Sequence, residues 1–269
     1  MAKPIYKINA LNVATLSQLD SSFLIHKYKF GEKMTIPTFS FLITGAGIPP
    51  ILVDTGVVES NPDIFLAGGE HCEIKPEQKF DAVLGKLGYK KEDIKVILHT
   101  HLHIDHAGND DMFPGARIVI PRKEMMFSVS GLDGGYPNSY ITYLVSQLAV
   151  PGRIRLIDED CEIAPGIRLE ITAGHTYGSM LIKVNTKHGI ATMCGDVIYN
   201  IQLQCFDNDV FGGVAAEHNS PIESFGCHPT GNKLDAWEAV KTIQRICRDS
   251  DIILPSHDSY YLDKYGYEL

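Results

Sequence analysis

The sequence predicts a mixed α/β fold with a sandwich of two sheets, and three observations support this. Short apolar runs typical of buried strands alternate with segments of helical pattern along the 269 residues. Both halves of the chain follow one order of elements: strands, a loop with histidine or aspartate, a helix and a further strand. The candidate ligand loops all follow apolar strands, so we expect them to meet at one edge of the sheets.

Composition limits the classes of function. With 44% hydrophobic and 21% charged residues, the chain has enough apolar material for a sizeable core. The net charge of −9 argues against a broad nucleic-acid-binding surface. No apolar segment approaches the roughly 20 residues of a membrane span, and the start lacks the apolar core of a signal peptide. We therefore expect a cytoplasmic protein that acts on a small molecule. Both a monomer and a homodimer are compatible with the sequence.

Six scattered cysteines contain no C-x-x-C pair, which argues against a thiolate zinc site or a redox motif. We expect most of them to be reduced and structural.

In the first half, the pattern predicts an antiparallel hairpin early in the chain and a helix that begins at a proline and ends before Gly88. An irregular loop is expected over 61–75. The predicted elements are strands over 38–44, 51–53, 94–98 and 117–120, and a helix over 76–87.

The segment 121–150 differs in residue pattern from the segments before it. Two helical pieces, 123–129 and 140–149, flank a glycine-rich break at 131–135. Such a segment suits a lid or a wall of a substrate pocket. The alternative, a packing excursion that covers a sheet, is equally compatible with the pattern.

The second half is rich in strands and ends with a helix and a strand. A long polar loop is expected over 200–232, and the whole chain, 1–269, is expected to form one domain. The predicted elements are strands over 154–157, 168–172, 180–184, 190–193 and 252–254, and a helix over 233–248.

The most informative stretch follows the apolar strand at 94–98. Within six positions it contains four potential metal ligands, His101, His103, Asp105 and His106. In extended chain His101 and His103 face the same way, and a subsequent turn would direct Asp105 and His106 to a second point nearby. Imidazoles and a carboxylate without a thiolate suit zinc, iron, manganese or cobalt. A metal-free histidine cluster is the alternative, and four ligands at this spacing disfavour it.

Three further candidates follow later strands. His175 comes after Gly174, Asp196 comes after Gly195, and His257 follows the last apolar strand. A glycine beside a ligand allows close backbone approach and positive φ. These residues complete a set of seven candidate ligands.

Asp54 ends the second predicted strand, in an Asp-Thr-Gly sequence. It could be an ordinary turn residue. The ligands downstream favour a carboxylate that accepts a hydrogen bond from a metal-binding histidine and so orients its ring.

Together these motifs resemble the metallo-β-lactamase-fold hydrolase superfamily: an early Asp-Thr-Gly, then His-x-His-x-Asp-His, Gly-His, Gly-Asp and a late Ser-His. The resemblance implies a four-layer αββα sandwich with a dinuclear metal site at one edge. It assigns His101, His103 and His175 to the first metal, and Asp105, His106 and His257 to the second. Asp196 would bridge both ions opposite a bridging hydroxide. Two divalent ions are implied, with zinc favoured over manganese, iron or cobalt.

Within the superfamily the sequence is most similar to the quorum-quenching N-acyl-homoserine lactonases, on Gly195-Asp196-Val197-Ile198-Tyr199 above all. The resemblance implies that Tyr199 points into the site and assists the ring oxygen or carbonyl, with Asp105 and Asp196 as further catalytic residues. The implied reaction opens a lactone or related cyclic carbonyl compound by attack of the metal-bridging hydroxide. A tyrosine that merely packs on the sheet is the alternative for Tyr199.

Two departures leave the substrate open. The loop after Tyr199 is longer than in the bacterial lactonases, and segment 121–150 does not match an acyl-chain groove. A thioesterase resembling hydroxyacylglutathione hydrolase, or a C–C hydrolase of cyclic diketones, could use the same metals. Diiron oxygen or nitric-oxide reductases share the fold, but His103 stands where they have a glutamate.

Overall fold

Two β-sheets form the framework of the protein. The computed structural model describes residues 4–25, 29–62, 71–130, 138–206 and 233–269. The larger sheet has seven strands in the order β4-β1-β2-β3-β5-β6-β7, and the smaller has five in the order β12-β11-β10-β9-β8. The strands of the larger sheet are β1 (Lys7–Asp20), β2 (Lys33–Gly45), β3 (Ile48–Val53), β4 (His71–Glu73), β5 (Val96–Leu98), β6 (Arg117–Pro121) and β7 (Ile154–Ile157). Those of the smaller sheet are β8 (Cys161–Ala164), β9 (Ile167–Ile171), β10 (Met180–Thr186), β11 (Gly189–Gly195) and β12 (Ile252–Pro255).

Helices connect and cover the strands. They are α1 (Ser21–Leu24), α2 (Phe80–Lys86), α3 (Arg122–Val129), α4 (Asn138–Leu148), α5 (Lys233–Asp249) and α6 (Tyr260–Tyr265). Short 3₁₀ turns lie at Pro76–Gln78, Lys91–Asp93 and Asp110–Met112, and a π-helical turn at Gln202–Phe206. None of these described helices is long and apolar enough to cross a membrane.

Strand direction brings the ends of several strands to one edge. β1, β2 and β3 are antiparallel neighbours, whereas β3, β5, β6 and β7 run parallel. In the smaller sheet β12 runs parallel to β11. Parallel strands present their carboxyl ends at the same edge, where loops can gather a site.

Apolar side chains fill the space between the sheets and beneath the helices. On β2, Phe39, Phe41 and Ile43 point into the core cluster shared with the smaller sheet, whereas the alternate Leu42 faces the cluster beneath α2. On the other side of the sandwich, α5 contributes Ile243 and its apolar neighbours to the core of the smaller sheet. The layers run helix, sheet, sheet, helix, which confirms the predicted αββα sandwich.

Most predicted elements are present, with small shifts at their ends. The hairpin of β2 and β3 is antiparallel as predicted. The helix expected over 76–87 is divided, because Lys79 is extended and separates a 3₁₀ turn from α2. The five cysteines in the described residues form no disulfide, as expected.

The main error concerns β1. No strand was predicted over residues 7–20, yet β1 is 14 residues long. Its pairing with β2 shifts register between Asn12 and Ala14 and again between Leu16 and Leu19, and Gln18 has a positive φ. Such bulges interrupt the alternation of buried and exposed side chains, so the period-2 signal is lost.

Two smaller strands were also missed. β4 lies where an irregular loop was expected over 61–75, and β8 has only partly buried and exposed positions. Residues 131–137, with the glycine-rich break, and 207–232, most of the predicted long loop, lie outside the described residues.

Candidate metal centre

The seven candidate ligands lie together in two adjoining groups. The first contains His101, His103 and His175, and the second contains Asp105, His106, Asp196 and His257. Within each group the ligand atoms lie within 4.8 Å of one another. This division matches the two points that the spacing of the His-x-His-x-Asp-His motif predicted.

The first group joins the segment after β5 to the loop between β9 and β10. His175 Nε2 lies 2.8 Å from His103 Nδ1, and the rings of His101 and His175 meet edge to face. His103 is partly buried, whereas His101 and His175 are buried. Three imidazoles from two loops thus converge on one point.

The second group joins the two sheets. Asp105 and His106 follow β5, whereas Asp196 and His257 follow β11 and β12. His106 Nε2 lies 3.1 Å from Asp196 Oδ1, and His257 Nε2 lies 3.3 Å from the same oxygen and 3.4 Å from Asp105 Oδ2. All four side chains are buried.

Asp196 stands between the groups, and its two oxygens face different ones. Oδ1 faces His106 and His257, whereas Oδ2 lies 3.7 Å from His175 Nε2 and 4.0 Å from His101 Nε2. This is the position that a carboxylate shared by two cations would take.

Glycines shape the backbone beside two of the ligands, as the sequence predicted. Gly195 has a φ of +54°, and a Cβ there would lie 2.6 Å from Thr100 Oγ1. Gly174 has a φ of +144° and lies close to the Ala239 backbone on α5. Larger residues would displace the loops that present Asp196 and His175.

The buried polar atoms fit a cation. His101 Nε2, His106 Nε2 and Asp196 Oδ1 are buried and have no hydrogen-bond partner. Buried polar atoms are normally satisfied, so three such atoms within the two ligand groups need a partner of another kind. Neutral imidazole nitrogens and carboxylate oxygens are ligands for divalent zinc, iron, manganese or cobalt.

Burial and the charges of neighbouring ligands shift the pKa values of the histidines in the two groups. Burial and the nearby His106 and His175 hold the pKa of His101 well below its ordinary value. Burial opposes the charged form of His257, but the carboxylates of Asp196 and Asp105 outweigh it and raise the pKa of His257 to about 10. The neutral His101 is therefore ready to bind a cation, whereas His257 must release a proton first.

Asp54 lies next to His106 of the second group. It is placed to accept a hydrogen bond from that ring, as the sequence led us to expect. It has a φ of 59°, which is uncommon for a residue other than glycine. Its Oδ1 accepts a 2.8 Å hydrogen bond from Thr100 N, and its Oδ2 accepts one of 3.0 Å from His106 Nδ1. The Nδ1–H of His106 is thereby fixed, which leaves Nε2 free to face the group.

His99 extends this network away from the centre, and the sequence did not indicate it. Its buried ring lies 3.0 Å from Asp110 Oδ1 and 3.4 Å from Asp54 Oδ1. Burial disfavours the charged form of His99. The negative charge and hydrogen bonds of Asp110, and to a smaller degree those of Asp54, outweigh burial and raise the pKa of His99 to about 9. A protonated His99 therefore offsets the negative charge of the two carboxylates.

Tyr199 reaches the centre from the loop after β11. Its hydroxyl donates a 2.7 Å hydrogen bond to Asp196 Oδ2. Its ring also lies parallel to that of His257, with centroids 5.5 Å apart. The side chain therefore does more than pack against the sheet.

Glu124 is a further buried carboxylate, and sequence reasoning missed it. It lies on α3 and accepts hydrogen bonds from residues beside the ligands of the first group. A single glutamate in the first turn of a helix resembles an ordinary solvated residue, so the sequence contains no signal for it.

Comparison with known proteins places this site in a family. The sequence model of the metallo-beta-lactamase superfamily matches residues 35–257. An N-acyl homoserine lactonase of Bacillus cereus is 30% identical over 210 residues, which cover 74% of this chain and 78% of that protein.

Solved structures agree on the fold. A structure of an N-acyl homoserine lactone hydrolase with N-hexanoyl-L-homoserine at its catalytic metal center superposes with a TM-score of 0.73 at 22% identity, covering 98% and 97% of the two chains. The dizinc quorum-quenching lactonase AidC superposes with a TM-score of 0.67 at 16% identity, covering 96% and 89%. The chain therefore belongs to the metallo-beta-lactamase superfamily, and it is a metal-dependent hydrolase with the N-acyl homoserine lactonases among its relatives.

Proposed function

We propose that this hydrolase uses two divalent ions to open the ring of a lactone of the N-acyl homoserine class. The observation that carries the proposal is the contact between Tyr199 and Asp196, in which a phenol hydroxyl reaches the carboxylate between the two ligand groups at 2.7 Å. The lactonase relatives support the choice of substrate class.

The ligand assignment follows the two groups. His101, His103 and His175 would hold the first ion, while Asp105, His106 and His257 would hold the second. Asp196 would serve both, because its oxygens face different groups. The donor set suits zinc, with manganese, iron or cobalt as alternatives.

The reaction adds water across the ring ester bond. Two divalent ions held by these residues would supply a water of lowered pKa as the nucleophile and would polarise the substrate carbonyl. The acyl C–O bond of the ring breaks, and the product is a hydroxy acid.

The chain's own side chains orient this reaction. Tyr199 is placed to donate its O–H to the oxygen that gains negative charge, in exchange for its bond to Asp196. Asp105 and Asp196 are the carboxylates within reach to take up or pass on a proton. Their negative charge also offsets part of the charge of the ions.

We further propose that α3 and α4, from the predicted segment 121–150, form one wall of the substrate pocket in a single-domain chain. Met125, Phe127 and Leu144, from α3 and α4, pack in one cluster with Leu102 and Ile104 of the ligand segment. The two helices are therefore seated directly on the segment that carries four of the seven ligands.

A pH-stat hydrolysis screen of metal-analysed protein tests the proposal. It compares acyl-homoserine lactones of different chain length with simple γ- and δ-lactones, cyclic diketones and S-lactoylglutathione. We expect about two ions per chain and strong turnover of acyl-homoserine lactones, and the Asp196→Asn variant is the inactive control. Two ions with turnover only of the thioester or the diketone would contradict the lactonase assignment, and a chain that binds no ion would overturn the whole mechanism.

A further inference from the structure

Glu124 is a fully buried carboxylate on α3 whose two oxygens accept three hydrogen bonds. Oε1 accepts from Leu102 N at 2.9 Å. Oε2 accepts from Thr176 Oγ1 at 2.7 Å and from Gly178 N at 3.2 Å. Burial raises the pKa of this carboxyl, and the three hydrogen bonds and the nearby His103 partly counter the effect.

The donors belong to the two loops that carry the first ligand group. Leu102 lies between His101 and His103, and Thr176 directly follows His175. A single carboxylate therefore connects the segment after β5 to the loop between β9 and β10. None of its three hydrogen bonds reaches the segments of Asp196 or His257, which belong to the second group.

Close backbone contact reinforces this connection. A Cβ at Gly178 would lie 2.2 Å from the backbone nitrogen of Glu124. The loop of His175 thus rests directly on the first turn of α3, and its position is fixed relative to Glu124.

Asp54 is the counterpart of Glu124 at the second group. Asp54 holds Thr100 N and His106 Nδ1, whereas Glu124 holds Leu102 N and the loop of His175. Asp54 contacts a ligand ring of the second group directly and reaches His101 of the first group only through the Thr100 hydroxyl.

We propose that Glu124 is a positioning residue for the first metal group. It holds the segment of His101 and His103 at a fixed separation from His175, and so sets the affinity of the first ion without contacting it. This role rests on the proposed function, because it assumes that the first group binds an ion.

The Glu124→Gln substitution tests the role, since it keeps the size of the side chain and removes one acceptor. In either orientation of the new amide, its NH₂ faces a backbone N–H, of Leu102 or of Gly178. One loop therefore loses its anchor. We expect the affinity of the first ion to fall by about 10- to 100-fold, the range for partners that orient metal ligands. We expect the affinity of the second ion to stay within about threefold.

Ser128→Ala is a matched control on the same helix. Ser128 is buried, and its hydroxyl donates to the backbone oxygen of Glu124 one turn earlier on α3. If a general weakening of α3 were the cause, this variant would also lower the affinity of the first ion. We expect both of its metal affinities to match the wild type.

The measurement is a stepwise titration of the metal-free full chain with Co²⁺ against a competing chelator, followed by visible absorption. The His257→Ala variant identifies the step that belongs to the second group. In Glu124→Gln we expect a lower affinity only at the remaining step, which belongs to the first group. Thr176→Val removes one of the three donors and should lower the affinity at that step to a smaller degree. If Glu124→Gln does not fold, Thr176→Val decides the result.

Two results distinguish this role from the proposed function. If the wild-type chain binds two ions and both Glu124→Gln and Thr176→Val leave the first step unchanged, the role of Glu124 is wrong and the metal centre stands. If the wild-type chain binds no ion, the proposed function fails, and the role fails with it.

Discussion

The hydroxyl of Tyr199 donates to the Asp196 oxygen that faces the first ligand group, while its ring lies parallel to His257 of the second. One side chain therefore contacts both halves of the centre. A bound substrate carbonyl or ring oxygen at this place could take over the hydrogen bond that Asp196 now accepts. Under the proposed function, this contact places Tyr199 in the reaction rather than in the metal ligation.

Tyr199→Phe should therefore slow lactone hydrolysis without loss of metal. Removal of one donor to a developing oxyanion costs on the order of 10²-fold in kcat. The measurements are the rate on the best lactone from the screen and the metal content per chain. An unchanged rate at full metal content would remove Tyr199 from the mechanism.

Asp196→Asn should lose most of both turnover and metal. The substitution removes the one carboxylate whose oxygens face both groups, and with it a negative charge that offsets the cations. Metal analysis after reconstitution and dialysis should show clearly fewer than two ions per chain. Full metal content in this variant would contradict the bridging role of Asp196.

Asp54→Asn should weaken the second ion more than the first, because Asp54 contacts His106 directly and reaches His101 only through Thr100. The amide can still accept from Thr100 N, but its NH₂ would then face His106 Nδ1. His106 would favour the tautomer with its proton on Nε2, which cannot bind a metal. We expect about a 10- to 100-fold loss of affinity, measured by the same Co²⁺ titration. Equal loss at both steps would argue for general damage instead.

Removal of the metal should lower the melting temperature of the wild-type chain. A ligand that binds only the folded state stabilises it by about 4 kcal/mol when present at 1,000 times its Kd. Thermal unfolding with and without a chelator measures the effect. In Asp196→Asn the same chelator should change the melting temperature much less, and an equal change would place the stabilising ion elsewhere.

Gly178→Ala should destabilise the protein, because the new Cβ would overlap the backbone of Glu124. Forced overlap in a packed region costs about 1–3 kcal/mol. Gly85→Ala is the matched control, since Gly85 is exposed on α2 with nothing within 4 Å of its Cβ position. That change should stabilise by about 0.5–1 kcal/mol. Denaturant unfolding of both variants checks the pair, and an unaffected Gly178→Ala would show that the loop can move away from α3.

Local spacing made much of this site predictable. His101 and His103 alternate along extended chain, and a turn follows at Asp105, so the division into two groups follows from backbone geometry. Glu124 could not be found in this way, because its role depends on three donors from distant parts of the chain. β1 was not predicted for a different reason. Its bulges interrupt the alternation of buried and exposed side chains by which a strand is recognised in a sequence.

The second ligand group also bears on the order of folding. Asp105 and His106 follow a strand of the larger sheet, whereas Asp196 and His257 follow strands of the smaller one. These four side chains meet only where the two sheets dock, so under the proposed function the second ion would require the docked sandwich, in contrast to zinc fingers, whose fold depends on the metal.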